Sequence, residues 1–397
     1  MSHLSFTVSR LPQIDFGHQS ILRLAQAACT YGQSALLVTG AGTLTRIPHW
    51  PTCQEQFATT AVSCQHCIID REPSPDQIDE LVARYYGQGI ELVIGIGGGS
   101  VLDGAKAIAG LLPFGNSVRD HLEGVGRAIP YHGPALPFIA VPTTAGTGSE
   151  ATKNAVLSEV GPHGYKKSFR HDSLVPQRAI VDPSLLETCP PALIAANGMD
   201  ALTQLLESYV STKASPVTDA LALRGLAAVR DGLFPAWRND PDTGASGREN
   251  MALAALLSGI TLAQAGLGAV HGLASPLGAF FPIAHGVVCG TLVAAATAVN
   301  ITAMRHRAPQ NRALSRYAEV GRLLSGDRRL NDRDAQDQLV SLLTAWTREL
   351  GLPKLATLGV RRDDFARIVA HSRGNSMQTN PIRLSDDEIT AILEQCC

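Results

Sequence analysis

Apolar residues in the first half of the chain fall into short blocks set between glycine-rich turns and amphipathic stretches. Residues 34–39 (Ser-Ala-Leu-Leu-Val-Thr) form an apolar run that stops at Gly40 and predicts a strand. Ser74-Pro75 opens a predicted helix over 76–86, with acidic residues in its first turn. Residues 91–95 predict a second strand that runs into Gly97-Gly98-Gly99-Ser100, and 101–112 a helix. Residues 137–142 predict a third strand, followed by Thr143-Thr144, and 179–182 a last one. Strand, glycine-rich turn and helix in repetition imply a largely parallel sheet with helices on both faces.

Beyond Cys189-Pro190-Pro191 the pattern changes to helical periodicity. Helices are predicted over 192–211, 216–233, 249–277, 285–304, 311–324 and 332–350, with no strand alternation between them. The fold expected is therefore an α/β domain over 1–189 followed by an all-helical domain over 190–397. A length of 397 residues agrees with two cores rather than one.

Composition narrows the function classes. A formal net charge of −2 with no basic stripe excludes a nucleic-acid binder of the usual kind. The N-terminus lacks a charged segment followed by an apolar run, so no signal peptide is expected. Eight cysteines in so long a chain do not form a disulfide framework. Cys64-Gln-His-Cys67 has zinc-like spacing, but no second such pair follows, and reduced cytoplasmic thiols are the better reading. Between Met251 and Met304 there is no Asp, Glu, Lys or Arg. That run is long enough for two membrane spans. Its histidines, prolines and richness in Ala and Gly fit the core of a large helical domain instead.

Gly97-Gly98-Gly99-Ser100 stands between a strand and a helix. Glycines there let a ligand approach the backbone, and the helix N-terminus offers free N–H groups to a phosphate. The spacing is not the usual GxGxxG dinucleotide fingerprint, and a plain tight turn would need only one or two of the glycines. A second small-residue loop, 142–150, carries hydroxyls at Thr143, Thr144, Thr147 and Ser149 suited to phosphate, ribose or carboxamide. Two such loops, each after a strand, suggest a cleft at the carboxyl edge of one sheet.

Asp200 and Gln204 are four apart on a predicted helix and share a face. His271 and His285 are separated by Pro276 and Pro282 and belong to different elements. One carboxylate and two imidazoles from three helices would make an open divalent-metal site. Taken singly, an Asp-x-x-x-Gln pair is a common hydrogen-bonded pair and a histidine an ordinary core residue. The absence of charge around both histidines adds weight to the metal reading, because buried imidazoles need partners.

Four stretches together resemble the iron-containing (group III) alcohol dehydrogenase family: 95–103 (GIGGGSVLD), 142–150 (PTTAGTGSE), 198–203 (GMDALT), and His271 through His285-Gly286. The resemblance implies a dehydroquinate synthase-like architecture, with a dinucleotide-binding domain, a helical domain and catalysis in the cleft between them. It also implies hydride transfer between NAD or NADP and a small alcohol or aldehyde. The family's metal ligands are one Asp and three His. Asp200, His271 and His285 match; the fourth position is Gln204, and Ser275 replaces a further histidine. Fe2+ is the metal implied, with Zn2+ or Mn2+ as alternatives. Lys166 and Asp103 fall where the family has cofactor-facing residues. Gly40 falls where it often has an Asp on the adenosine ribose, so NADP is expected to be accepted. Gln204 resembles the phosphonoacetaldehyde reductases, a pointer to an anionic aldehyde. A metal-free relative of the maleylacetate reductase kind, a cyclase of the dehydroquinate synthase kind and a three-ligand relative of the glycerol dehydrogenase kind are the alternatives; Asp200 argues against the metal-free branch. A cytoplasmic homodimer or larger homo-oligomer is expected.

Overall fold

The computed structural model describes residues 5–397. The chain forms two compact units, one of residues 9–159 and 166–190, the other of 5–8, 160–165 and 191–397.

The first unit is built on a six-stranded sheet. Its strands are β1 (Gln13–Phe16), β2 (Ser34–Thr39), β3 (Ser63–Ile68), β4 (Leu92–Gly97), β5 (Phe138–Pro142) and, after a two-stranded ribbon of β6 (Asn154–Glu159) and β7 (Tyr165–Arg170), β8 (Arg178–Val181). The order is β1-β8-β5-β4-β2-β3 and every pairing is parallel. The central strands β4 and β5 are buried at every position, as expected where helices cover both faces. Ile94, Ile96, Ile139, Val141 and Ile180 form one side of this core.

From β2 the chain crosses to β3 on one side, and from β4 to β5 on the other. The carboxyl ends of β2 and β4, which pair directly, therefore flank the switch point where open α/β sheets bind ligands. Gly40 follows β2, and Gly98 precedes the helix Gly99–Leu111 that follows β4.

The edge strands β1 and β3 and the β6–β7 ribbon are not among the predicted elements. β3 reads Ser-Cys-Gln-His-Cys-Ile, with little apolar content because only one of its sides is paired. Strand geometry also settles Cys64 and Cys67. Three residues apart on a strand they face opposite ways, one exposed and one buried, so they cannot share an ion. All eight cysteines are free thiols.

The second unit is helical, with Pro191–Val210, Pro216–Arg238, Gly244–Ala265, Ala269–Phe280, His285–Arg307, Arg312–Ser325 and Asp332–Glu349 as its main elements. The single helix predicted over 249–277 is two helices bent by 100°. Gly266, at φ +72, takes a conformation other residues avoid, and a side chain there would meet Thr379. His285–Arg307 is long and apolar enough to cross a membrane, yet 78% of its apolar window is buried within the protein. It is the core helix of this unit.

Candidate active site

Three helices of the second unit converge on Asp200. Pro191–Val210 carries Asp200, Gln204 and Glu207, spaced so that they share one face. His285–Arg307 packs against it through glycines. A side chain at Gly286 would stand 2.6 Å from the Ala196 carbonyl, and one at Gly290 2.9 Å from Met199 Cβ. This close approach sets His285 and Cys289, one turn apart, beside Asp200. The third helix, Ala269–Phe280, begins after the Gly266–Gly268 break and presents His271 in its first turn.

His271 Nε2 lies 3.3 Å from Asp200 Oδ1, and His285 Nε2 lies 3.8 Å from the same oxygen. Cys289 Sγ is 3.7 Å from both Nε2 atoms. Asp200 Oδ2 is buried and has no hydrogen-bond partner among the described residues. An orphaned carboxylate oxygen inside a protein is costly unless a cation completes it. Asp200 and His271 are buried, whereas about a quarter of the His285 side chain (27%) is exposed, so the cluster is accessible from the His285 side.

Glu207 was not singled out in the sequence, and it organises the cluster. His271 Nδ1 donates to Glu207 Oε2 at 2.6 Å, and the Val270 amide donates to Glu207 Oε1 at 2.7 Å. The carboxylate thereby satisfies a free N–H at a helix start and turns the His271 ring so that Nε2 faces Asp200. Asn380 Oδ1 accepts from the neighbouring Ala269 amide. Burial opposes protonation of His271, but the charges of Cys289 and Glu207 and the bonds to Asp200 and Cys289 outweigh it and raise its pKa well above the ordinary value. Burial also penalises the Asp200 carboxylate, yet the His285 and His271 imidazoles hold its pKa below the ordinary value. Burial pushes the Cys289 thiol up to about 12. Gln204 is buried beside Asp200, with Oε1 2.8 Å from Ser258 Oγ. The signals for Glu207 and Cys289 were present as spacing, seven after Asp200 and four after His285.

In the first unit the two small-residue loops pack against each other. Gly97 pairs with Pro142 across β4 and β5, and the Thr143 amide donates to the Gly97 carbonyl. A side chain at Gly98 would stand 3.2 Å from Thr144, and one at Gly99 2.7 Å from Thr147. Part of the glycine requirement is therefore loop-to-loop contact. Gly98 is the N-cap of the following helix, so the first free amides belong to Gly99 and Ser100.

Asp103 and Ser149 are turned inward. Asp103 Oδ1 accepts from the Ser149 hydroxyl and Oδ2 from the Val156 amide. Lys106 is fully buried and donates to Ser149 Oγ, the Ser149 carbonyl, Thr152 Oγ1 and the Asn154 carbonyl at 2.6–2.9 Å. Burial lowers its pKa. This network, which the sequence did not suggest, fixes the 142–150 loop. Lys166, on β7, pairs with Glu72. Gly40 lies beside Thr43 and Val101.

Two family models match, that for iron-containing alcohol dehydrogenase over residues 12–183 and that for the C-terminal domain of the Fe-containing alcohol dehydrogenase family over 194–397. The chain belongs to the iron-containing alcohol dehydrogenase family. Alcohol dehydrogenase 4 of Saccharomyces cerevisiae is 34% identical over 310 residues, covering 78% of this chain and 76% of the relative. The solved structure of an archaeal halo-thermophilic Red Sea brine pool alcohol dehydrogenase superposes with a TM-score of 0.90 at 26% identity over 100% of both chains. That of sulfoacetaldehyde reductase from Bifidobacterium kashiwanohense does so with a TM-score of 0.82 at 26% identity over 99% of both. As a member of this family the chain is a metal-dependent oxidoreductase that moves a hydride between a nicotinamide cofactor and an alcohol or aldehyde. The residues present fit the metal. Two imidazoles and a carboxylate with an orphaned buried oxygen form a donor set of the kind that binds divalent transition ions.

Proposed function

We propose that Asp200, His271 and His285 hold the divalent metal and that Gly97–Ser100 with the 142–150 loop holds the nicotinamide dinucleotide, each unit carrying one function. The observation that carries the metal assignment is the convergence of three donors on one point with Asp200 Oδ2 unpaired. A divalent cation supplies Lewis-acid stabilisation of charge on the substrate oxygen, and the nicotinamide supplies or accepts the hydride. The protein's residues orient and dry the site. Glu207 fixes the tautomer and direction of His271. The buried walls around Asp200 exclude water, and the substrate oxygen approaches from the exposed side of His285. In the first unit, the Gly99 and Ser100 amides at the helix N-terminus receive the pyrophosphate. Thr143, Thr144 and Thr147 offer hydroxyls to the same ligand, while Asp103 and Ser149 hold the loop in shape.

Gly40 at the switch point places no carboxylate against a ribose 2′-phosphate, so NADP is accepted beside NAD. The substrate class we favour is a small aldehyde bearing an anionic group. A solved relative is a sulfoacetaldehyde reductase, and the neutral amide of Gln204 stands beside Asp200 in place of an imidazole. Eight free thiols support a reducing, cytoplasmic setting. The test is a panel of neutral and anionic aldehydes and alcohols, each with NAD(H) and NADP(H), after reconstitution with Fe(II), Zn(II) or Mn(II). Absence of turnover with every metal would overturn the reading; equal turnover of neutral and anionic aldehydes would remove the substrate preference alone.

A further inference from the structure

We propose that Cys289 is the fourth protein ligand of the metal, giving an Asp200–His271–His285–Cys289 set, and that Gln204 is tied to Ser258 outside it. The proposal rests on the reading that Asp200, His271 and His285 hold a divalent cation. The donor atoms of all four residues lie within 4.8 Å of one another. Four ligands arranged tetrahedrally at ~2.0–2.3 Å from an ion stand roughly 3.3–3.7 Å apart. The separations found are 3.3 Å for His271 Nε2 to Asp200 Oδ1, 3.8 Å for His285 Nε2 to the same oxygen, and 3.7 Å for Cys289 Sγ to each imidazole. These lie close to four of the six edges of one coordination polyhedron, and the remaining two, His271 to His285 and Asp200 to Cys289, are within 4.8 Å.

A structural thiol does not account for the arrangement as well. One S–H proton serves one acceptor, yet Sγ is equidistant from two ring nitrogens. With the Nδ1 atom of His271 held by Glu207, Nε2 is the ring nitrogen that faces an oxygen and a sulfur. Asp200 Oδ2, buried and unpartnered, is the independent sign that something is missing at the centre. Coordination to a divalent ion would deprotonate the Cys289 thiol, the proton leaving to solvent. Gln204, by contrast, has its amide oxygen against the Ser258 hydroxyl at 2.8 Å.

A thiolate in place of a third imidazole makes the site softer. It favours Zn(II) and Fe(II) over Mn(II) or Mg(II). Cys289 is buried, so it closes the inner side, and a substrate oxygen would enter as an added fifth ligand on the side of His285.

The test is Co(II) substitution of the full-length, chelator-stripped protein under reducing conditions. Near-ultraviolet thiolate-to-cobalt charge transfer and Co(II) stoichiometry are read together. Wild type should bind one Co(II) and show the charge-transfer band. Cys289→Ser should lose the band and weaken Co(II) by roughly 10- to 100-fold or more. Cys53→Ser, a buried thiol of the first unit, and Gln204→Ala should both keep the band. One Co(II) bound without the band in wild type, or a band that persists in Cys289→Ser, overturns the Cys289 assignment and leaves the Asp200–His271–His285 site standing. A Gln204→Ala protein that loses its metal while Cys289→Ser retains it does the same. No Co(II) binding by wild type overturns both.

Discussion

Glu207 and His271 are joined by a 2.6 Å hydrogen bond in which the imidazole Nδ1 donates to a buried carboxylate that also receives the Val270 amide. One side chain thus closes a helix terminus and aims a ligand. Removing it should loosen both. Glu207→Ala is expected to lower metal affinity by roughly 10- to 100-fold, and Glu207→Gln by less, because a carboxamide oxygen still accepts one of the two bonds. Metal content after dialysis against a graded chelator series would decide, with the two variants beside wild type. Unaltered retention in Glu207→Ala would mean that packing alone aims His271.

His271→Ala and His285→Ala should each remove most activity while leaving the fold intact. Loss of a direct ligand should cost at least as much as loss of a supporting bond, roughly 10- to 100-fold. Turnover would be measured beside circular dichroism and thermal melting. A folded variant with near-wild-type turnover would place the metal elsewhere.

Gly98→Val should lower cofactor affinity at least about 10-fold. A side chain there meets Thr144, and a β-branched one would push the 142–150 loop away from the helix N-terminus that receives the phosphates. Fluorescence titration with NADH and NADPH reads the effect, and unchanged affinity for both would place the pyrophosphate elsewhere. Gly40→Asp should move preference from NADP toward NAD, since a carboxylate repels a 2′-phosphate. The new side chain requires Thr43 to rotate, because its hydroxyl stands 2.8 Å from the added carbon. Strict NAD dependence of the wild type would defeat that idea.

Glu150 predicts how stability changes with pH. Burial pushes its carboxyl up to about 7 from an ordinary 4.5, against the opposing pull of a backbone hydrogen bond and of Lys106. Because the folded state keeps the proton longer than the unfolded chain, this contribution is fully present below about pH 4.5. It is lost as pH rises toward about 7 and stays lost above that. Glu150→Gln should flatten this part of the profile and be the more stable form at pH 8, by an amount on the order of a few kcal/mol at most. Urea unfolding at pH 5 and pH 8 checks it; parallel profiles for the two proteins would assign the dependence to other groups.

Much of this was legible in the sequence because the physics is local. The apolar run at 34–39, the Ser74-Pro75 helix start and the triple glycine after β4 each answer to rules that act over a few residues. The edge strand β3 was hidden because a strand paired on one side needs few apolar residues. The bend at Gly266 was hidden because a charge-free stretch looks uniformly helical until its packing against Thr379 is known. Glu207 and Cys289 had suitable spacing, but a carboxylate on a helix and a thiol in an apolar run are commonplace. Only the three-dimensional approach of three helices distinguishes them. Asp103 and Ser149 show the converse, residues in a recognisable motif whose side chains serve each other.

Gly286 and Gly290 have no donor atoms, yet they set how near the two ligand-bearing helices come. The spacing of the ligands thus rests on two hydrogen atoms in the contact between the helices. A methyl group at Gly290 would widen the cage without touching a ligand. Metal selectivity in this enzyme can therefore drift, or be engineered, from positions that a survey of coordinating residues would pass over.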